Sequence, residues 1–271
     1  MCIRDWASSI LARKGITKDR FPIGEPIAIT GAKARRHPTR CEISSARLPD
    51  GETVTMRSEQ GHANIAVNPD TPEKKLIRES IFGLWVRDSF SGAPVRPGFL
   101  ETITEAGKQA NSQYVGSRDD PTRDCRPVNP VRAMFAPGTP TEIRQEQDRI
   151  VIQHEFMDTT RIVYLDTPPA TEPGEMGSST GRLENGVLTV ETNTFAPGVL
   201  LTHVRDSGIL HSDQMTLAES FSIDRETGQL IYRWEATDPL YFTGPIGGQL
   251  GLSPTLLPIS EFDCEPQKTD Y

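Results

Sequence analysis

The residue in this 271-residue chain that most needs a chemical explanation is Glu219. In the run 211–223 the odd positions from 215 onward read Met215, Leu217, Glu219, Phe221 and Ile223, and the even ones Thr216, Ala218, Ser220 and Ser222. Alternation of period two predicts a strand with one apolar face, and Glu219 lies in the middle of that face. A charge among apolar neighbours is costly unless it is paired or neutralised. In 160–165, Arg161, Val163 and Leu165 share one face and Thr160, Ile162 and Tyr164 the other, so the inner face carries either Arg161 or Tyr164. Arg161 would suit Glu219, because a buried carboxylate favours a forked, permanently charged donor. Such a pair reads either as a core ion pair or as a carboxylate-recognising or acid–base site. His211 opens the same run and is a candidate neutral-pH base. In one extended strand, eight residues at ~3.3 Å each would separate it from Glu219 by roughly 26 Å. The two are therefore not a dyad, and His211 is expected at the rim of a cavity.

Other polar or aromatic groups fall on inward faces. In 149–156, His154 shares a face with Ile150, Ile152 and Phe156, while Glu155 falls with Val151 and Gln153 and is expected to point outward. Leu230, Tyr232, Trp234 and Ala236 alternate as a core stripe or a cavity wall, and Asp238 ends that strand as a ligand contact or a turn cap. Gly177-Ser-Ser-Thr-Gly181 matches the nucleophile-elbow pattern. That pattern needs a strand before it and a helix after it, whereas a Pro- and Gly-rich loop precedes it here and a hairpin follows, so the segment reads as a turn. The five histidines and four cysteines show no HxH, HExxH or CxxC spacing, so no metal site and no cofactor is expected.

The elements that must position these groups are mostly strands. Twenty-two prolines and twenty-two glycines suggest many turns and short strands. A helix is predicted over 3–14 and strands over 26–30, 41–48 and 53–56, followed by a polar linker over 57–80. The unit from 81 onward opens with an irregular wrap to about 140, holding one weak helix over 101–113. Strands follow over 141–145, 149–156, 160–165, 181–183, 187–195, 215–223 and 230–236. Asn185-Gly186 and Glu226-Thr-Gly228 read as hairpin turns. A meander without intervening helices must close as a barrel or fold as a sandwich, and a lipocalin-like barrel is the expectation. No run of about 18 apolar residues predicts a membrane span. Residues 1–50 carry ten Lys/Arg against five Asp/Glu in a chain of net charge −8, but without interleaved aromatics or a binding motif, so nucleic-acid binding is not expected.

Several runs resemble an uncharacterised family of exported two-domain bacterial proteins. They are Asp124-Cys-Arg-Pro127, Arg161-Ile-Val-Tyr-Leu-Asp166, 176–192, Gly208-Ile-Leu-His-Ser-Asp213, Glu219, Asp238-Pro239 and Glu261-Phe-Asp-Cys-Glu265. Residues 10–56 resemble the second half of the OB-like domain that precedes the barrel-like domain in that family. Where its members read Gly-His-Ser-x-Gly-x-Trp, this chain has Ser178 and Leu183 in place of the His and the Trp. The resemblance implies a 1–56 partial OB-like module ahead of an 81–271 barrel-like domain. It also implies an exported, periplasmic or secreted protein whose leading piece precedes Met1; Met1 taken literally, with no signal peptide, would instead place the chain in the cytoplasm. Export makes a Cys125–Cys264 disulfide an expectation.

Three functions follow as expectations. The first is a barrel that binds a small, largely apolar molecule, with Tyr164, His154, Trp234, Tyr232 and Asp238 as ligand contacts. The second is an acid–base enzyme on the same scaffold (isomerase, lyase or hydrolase) using Glu219, Arg161 and His211. The third is an envelope interaction protein without pocket chemistry.

Overall fold

The computed structural model describes residues 12–13, 17–21, 23–33, 41–55, 76–87, 95–136, 138–204, 207–264 and 266. The helix predicted over 3–14 lies outside them save for residues 12–13, as does the linker over 57–80 save for 76–80. The N-terminal strands are β1 (Ala28–Lys33), β2 (Cys41–Arg47) and β3 (Thr53–Thr55), an antiparallel sheet in chain order. Gly51, at φ 88°, supplies the left-handed residue of the turn joining β2 to β3, where Leu48 N–H donates to the Glu52 carbonyl. Leu48 and Val54 form a small core with Phe21.

The rest of the chain is built around β4 (Gly83–Val86), β5 (Thr141–Glu146), β6 (Arg149–His154), β7 (Thr159–Tyr164), β8 (Ser178–Glu184), β9 (Val187–Asn193), β10 (Gly198–Val204), β11 (Ser207–His211), β12 (Thr216–Ile223), β13 (Leu230–Thr237) and β14 (Ile246–Pro254). Nine of these close into a barrel in the order β4–β9, β12, β13, β14, with β14 pairing back onto β4. The sandwich alternative is excluded by that closure. Neighbouring barrel strands are antiparallel except β7 and β8, whose connection through 165–177 returns β8 parallel to β7. A two-residue hairpin joins β8 to β9. Asn185 and Gly186 both adopt positive φ between the paired Glu184 and Val187, as a two-residue turn requires.

Sequence periodicity missed four strands: β4, β10, β11 and β14. β14 is masked by glycines that its neighbour demands, since a β-carbon on Gly247 would lie 2.4 Å from the Trp234 carbonyl oxygen. β10 and β11 leave the barrel as a separate hairpin between β9 and β12. The motif Gly177–Gly181, read as a turn, runs into β8, because pairing of Ser178–Glu184 with β9 extends the hairpin past it. Glu155, expected outward, is fully buried. The chain leaves the sheet after His154 with Glu155 in helical φ/ψ, which breaks the alternation. Its carboxylate accepts from Arg13 Nη1 at 2.9 Å and from Ser260 N–H at 3.0 Å, so the N-terminal segment and the C-terminal tail meet on it.

Inside the barrel, Ile143, Ile150, Ile152, Val163, Leu188, Val190, Leu217, Phe221, Leu230, Tyr232 and Trp234 are buried in one cluster. Outward positions such as Glu191, Asn193 and Arg233 are exposed, the inverse of the pattern that lipid-facing strands carry. Among the described residues no helix is long and apolar enough to cross a membrane. Phe135, from the helix Pro130–Phe135, sets its ring edge-on to the inward Tyr232 and Trp234, each at 6.5 Å. The helix thereby covers inward-facing rings of β13. Asn129 caps it and holds β10 through the Val199 and Leu200 carbonyls.

Candidate functional site

Alternation places Glu219 inward, and β7 presents Arg161 to it from across the barrel. Arg161 Nη1 donates to Glu219 Oε1 at 2.9 Å and Nη2 donates to Oε2, a two-pronged pair with both side chains buried. Arg161 Nε donates to Ser179 Oγ at 3.0 Å and Nη2 to Thr192 Oγ1 at 2.7 Å, while Tyr232 O–H donates to Glu219 Oε1 at 2.8 Å. Ser179, the serine of the GxSxG match, is therefore a partner of a guanidinium inside the barrel. Four of the five Arg161 N–H donors and three acceptor sites on Glu219 are engaged within this set. Burial and the neighbouring Glu219 raise the Tyr232 phenol well above its ordinary range, so it acts as a neutral donor.

His154 is buried beside this network, its Nδ1 3.0 Å from Thr141 Oγ1. Burial, assisted by the Arg161 charge, pushes it down to about 3, so the imidazole is neutral in the folded protein. In the unfolded chain it takes up a proton near its ordinary value of 6.5. The stability that neutral burial protects is thus present above pH 6.5 and lost as pH falls from 6.5 towards 3. Between pH 7 and pH 4 the His154→Gln variant should lose less stability than the wild type, by a few kcal/mol at about 1.4 kcal/mol per unit. Urea unfolding at the two pH values measures this, and equal losses would remove His154 from the account. His211 is held down by burial in the same direction and contributes alike to the slopes of both proteins.

The other candidates separate from Glu219. Tyr164 is half-buried on the opposite face of β7 from Arg161, because the two residues differ by an odd number of positions along the strand. Trp234 faces inward opposite Glu219, and its Nε1–H is buried without a partner among the described residues. Asp238 is a turn cap: its oxygens accept from Ser212 N–H and O–H, Leu240 N–H and Tyr241 N–H.

His211 ends β11 and is buried, not exposed at a rim, because the preceding hairpin and Phe195 cover it. Near it stands Glu175, which sequence reasoning missed. Glu175 lies in the Pro- and Gly-rich connection between β7 and β8, where no periodicity marks a residue. Gly174 fixes that turn by donating to the Thr194 carbonyl and accepting from Ala196 N–H. Burial raises the Glu175 carboxyl, with Arg126 and Arg132 opposing, and Arg126 Nη1 lies 3.6 Å from Oε1. Among the described residues, no three His, Cys, Asp or Glu side chains gather as a metal site.

No family model matches the chain, and no curated protein matches it.

Proposed function

We propose that the chain is an exported envelope interaction protein of the two-domain kind it resembles, a partial OB-like module followed by a lipocalin-like barrel. In this reading the barrel interior is a scaffold and not a reaction centre. One observation carries it: Arg161, Glu219, Tyr232, Ser179 and Thr192 take one another as partners in the buried interior. A general base needs a lone pair directed at a substrate proton. Glu219, gripped by a guanidinium fork and a phenol, is poorly placed for that role, which weighs against the acid–base enzyme. The Cys125–Cys264 disulfide supports an oxidising compartment.

A second reading, a carrier of a small molecule inside the barrel, is favoured by Trp234, whose buried indole N–H lacks an acceptor among the described residues. Native mass spectrometry of the oxidised protein separates the two. The scaffold reading expects the mass of the polypeptide alone. A co-purified small molecule whose retention falls in Trp234→Phe establishes the carrier instead.

A further inference from the structure

The turn between β8 and β9 carries reactive groups that the barrel network does not use. Six asparagines stand in the chain, and only Asn185 is followed by glycine. An asparagine side-chain amide is open to attack by the backbone nitrogen of the next residue when that nitrogen can reach Cγ. A β-carbon on the next residue hinders the approach, and glycine has none. The other asparagines are less suited. Asn68 and Asn129 precede proline, which has no backbone N–H to give up, and Asn64 precedes the β-branched Ile65. Asn111 lies in the helix Glu105–Gln113, where its Oδ1 accepts from Leu210 N–H at 2.9 Å. Asn193 Oδ1 accepts from Thr194 O–H at 2.8 Å.

Asn185 and Gly186 are both exposed at the tip of the hairpin. In a two-residue turn the bonds that close the loop run between the flanking residues, here Glu184 and Val187, and leave the Gly186 N–H outside them. A β-carbon on Gly186 would meet nothing within 4 Å, so the Asn185–Gly186 peptide unit has open space in which to turn.

We propose that Asn185 is a modification site, converted without an enzyme to isoaspartate and aspartate, and that the isoaspartate loosens the far half of β8. In the first step the Gly186 nitrogen loses its proton and bonds to Asn185 Cγ. The side-chain nitrogen leaves with that proton as ammonia, and a five-membered succinimide ring remains. Water then opens the ring, its hydroxyl going to one carbonyl carbon and its other proton returning to the Gly186 nitrogen. Opening at Cγ gives aspartate. Opening at the backbone carbonyl gives isoaspartate, whose main chain runs through Cβ and Cγ and is one methylene longer. The turn sets the register of every pair from Ser178 with Asn193 to Glu184 with Val187. β9 is held on its other side by β12, whereas β8 meets β7 only at Ser179 and Thr180. Residues 181–184 therefore depend on the turn, while Ser179 stays anchored by Arg161. The site lies outside the barrel interior, so its test and that of the scaffold reading are independent.

The test is incubation of the oxidised full chain at mildly alkaline pH, followed by peptide mapping and by methyl transfer from an isoaspartate-specific methyltransferase. Asn185 should convert at least about tenfold faster than Asn111 or Asn193, with isoaspartate among its products. Anion exchange isolates the converted fraction by its added negative charge. In that fraction amide hydrogen exchange at Glu184 and Val187 should quicken at least about tenfold, with β5 and β6 unchanged. Asn185→Gly accepts the positive φ of the turn and should abolish the conversion at that position. Conversion of Asn185 no faster than that of Asn111 or Asn193, aspartate without isoaspartate, or unchanged exchange in the converted fraction would overturn the proposal.

Discussion

Replacing Arg161 by Met should lower the unfolding free energy by about 3–5 kcal/mol, the cost of leaving a buried charge without its partner. The variant strands Glu219 with Tyr232 as its remaining donor and removes the guanidinium that holds Ser179 and Thr192. The informative comparison is the double variant Arg161→Met with Glu219→Leu. Removing both charges eliminates the desolvation cost along with the attraction, and replacement of a buried pair by apolar residues is often neutral or stabilising. The double variant should therefore recover most of the loss, giving a strongly non-additive cycle. Urea or guanidinium unfolding monitored by the tryptophans provides the four free energies. A single variant within about 1 kcal/mol of wild type would mean that water reaches the pair, against the burial of both side chains.

The same pair shows how much of the site could be read from sequence. Along β12 the pattern Leu217, Glu219, Phe221 is regular, and nothing interrupts its pairing with β9 and β13, so the inward direction of Glu219 follows from period two alone. On β7 the pattern was ambiguous between Arg161 and Tyr164, and the need of Glu219 for a charged donor resolved it in favour of Arg161. Where the chain departs from extended geometry, period two has no content. Glu155 lies one residue beyond the end of β6, where helical backbone ends the alternation and Arg13 and the tail at Ser260 cover its carboxylate. His211 was placed at a rim because its cover, the β10–β11 hairpin, comes from 198–204, an apolar run without alternation that did not register as a strand. Glu175 could not be found at all. Its relation to His211 depends on a 13-residue connection and an excursion from the barrel, which are properties of tertiary packing and not of local pattern.

Removing the Cys125–Cys264 cross-link should cost about 4–5 kcal/mol in the chain-entropy model, strain and residual unfolded structure lowering the figure. The magnitude follows from the separation of 139 residues, which encloses every barrel strand except β4. In the folded protein the bond joins two segments that other contacts already position. Asp120 grips Arg132 a few residues before Cys125. On the other arm, Phe262 N–H donates to Asp158 at 2.8 Å and the Phe262 ring stands edge-on to Phe156 at 5.3 Å. The native barrel should therefore survive in Cys125→Ser with Cys264→Ser, and the loss should come through the unfolded state, which gains the freedom of a chain no longer closed on itself. The denaturant dependence distinguishes this cause from damage to the native packing. An expanded unfolded ensemble exposes more surface, so the m-value should rise as the midpoint falls. An unchanged m-value with a lost near-ultraviolet signal would show instead that the tail holds the native wrap in place, and a loss below about 1 kcal/mol would show that the denatured chain is already compact.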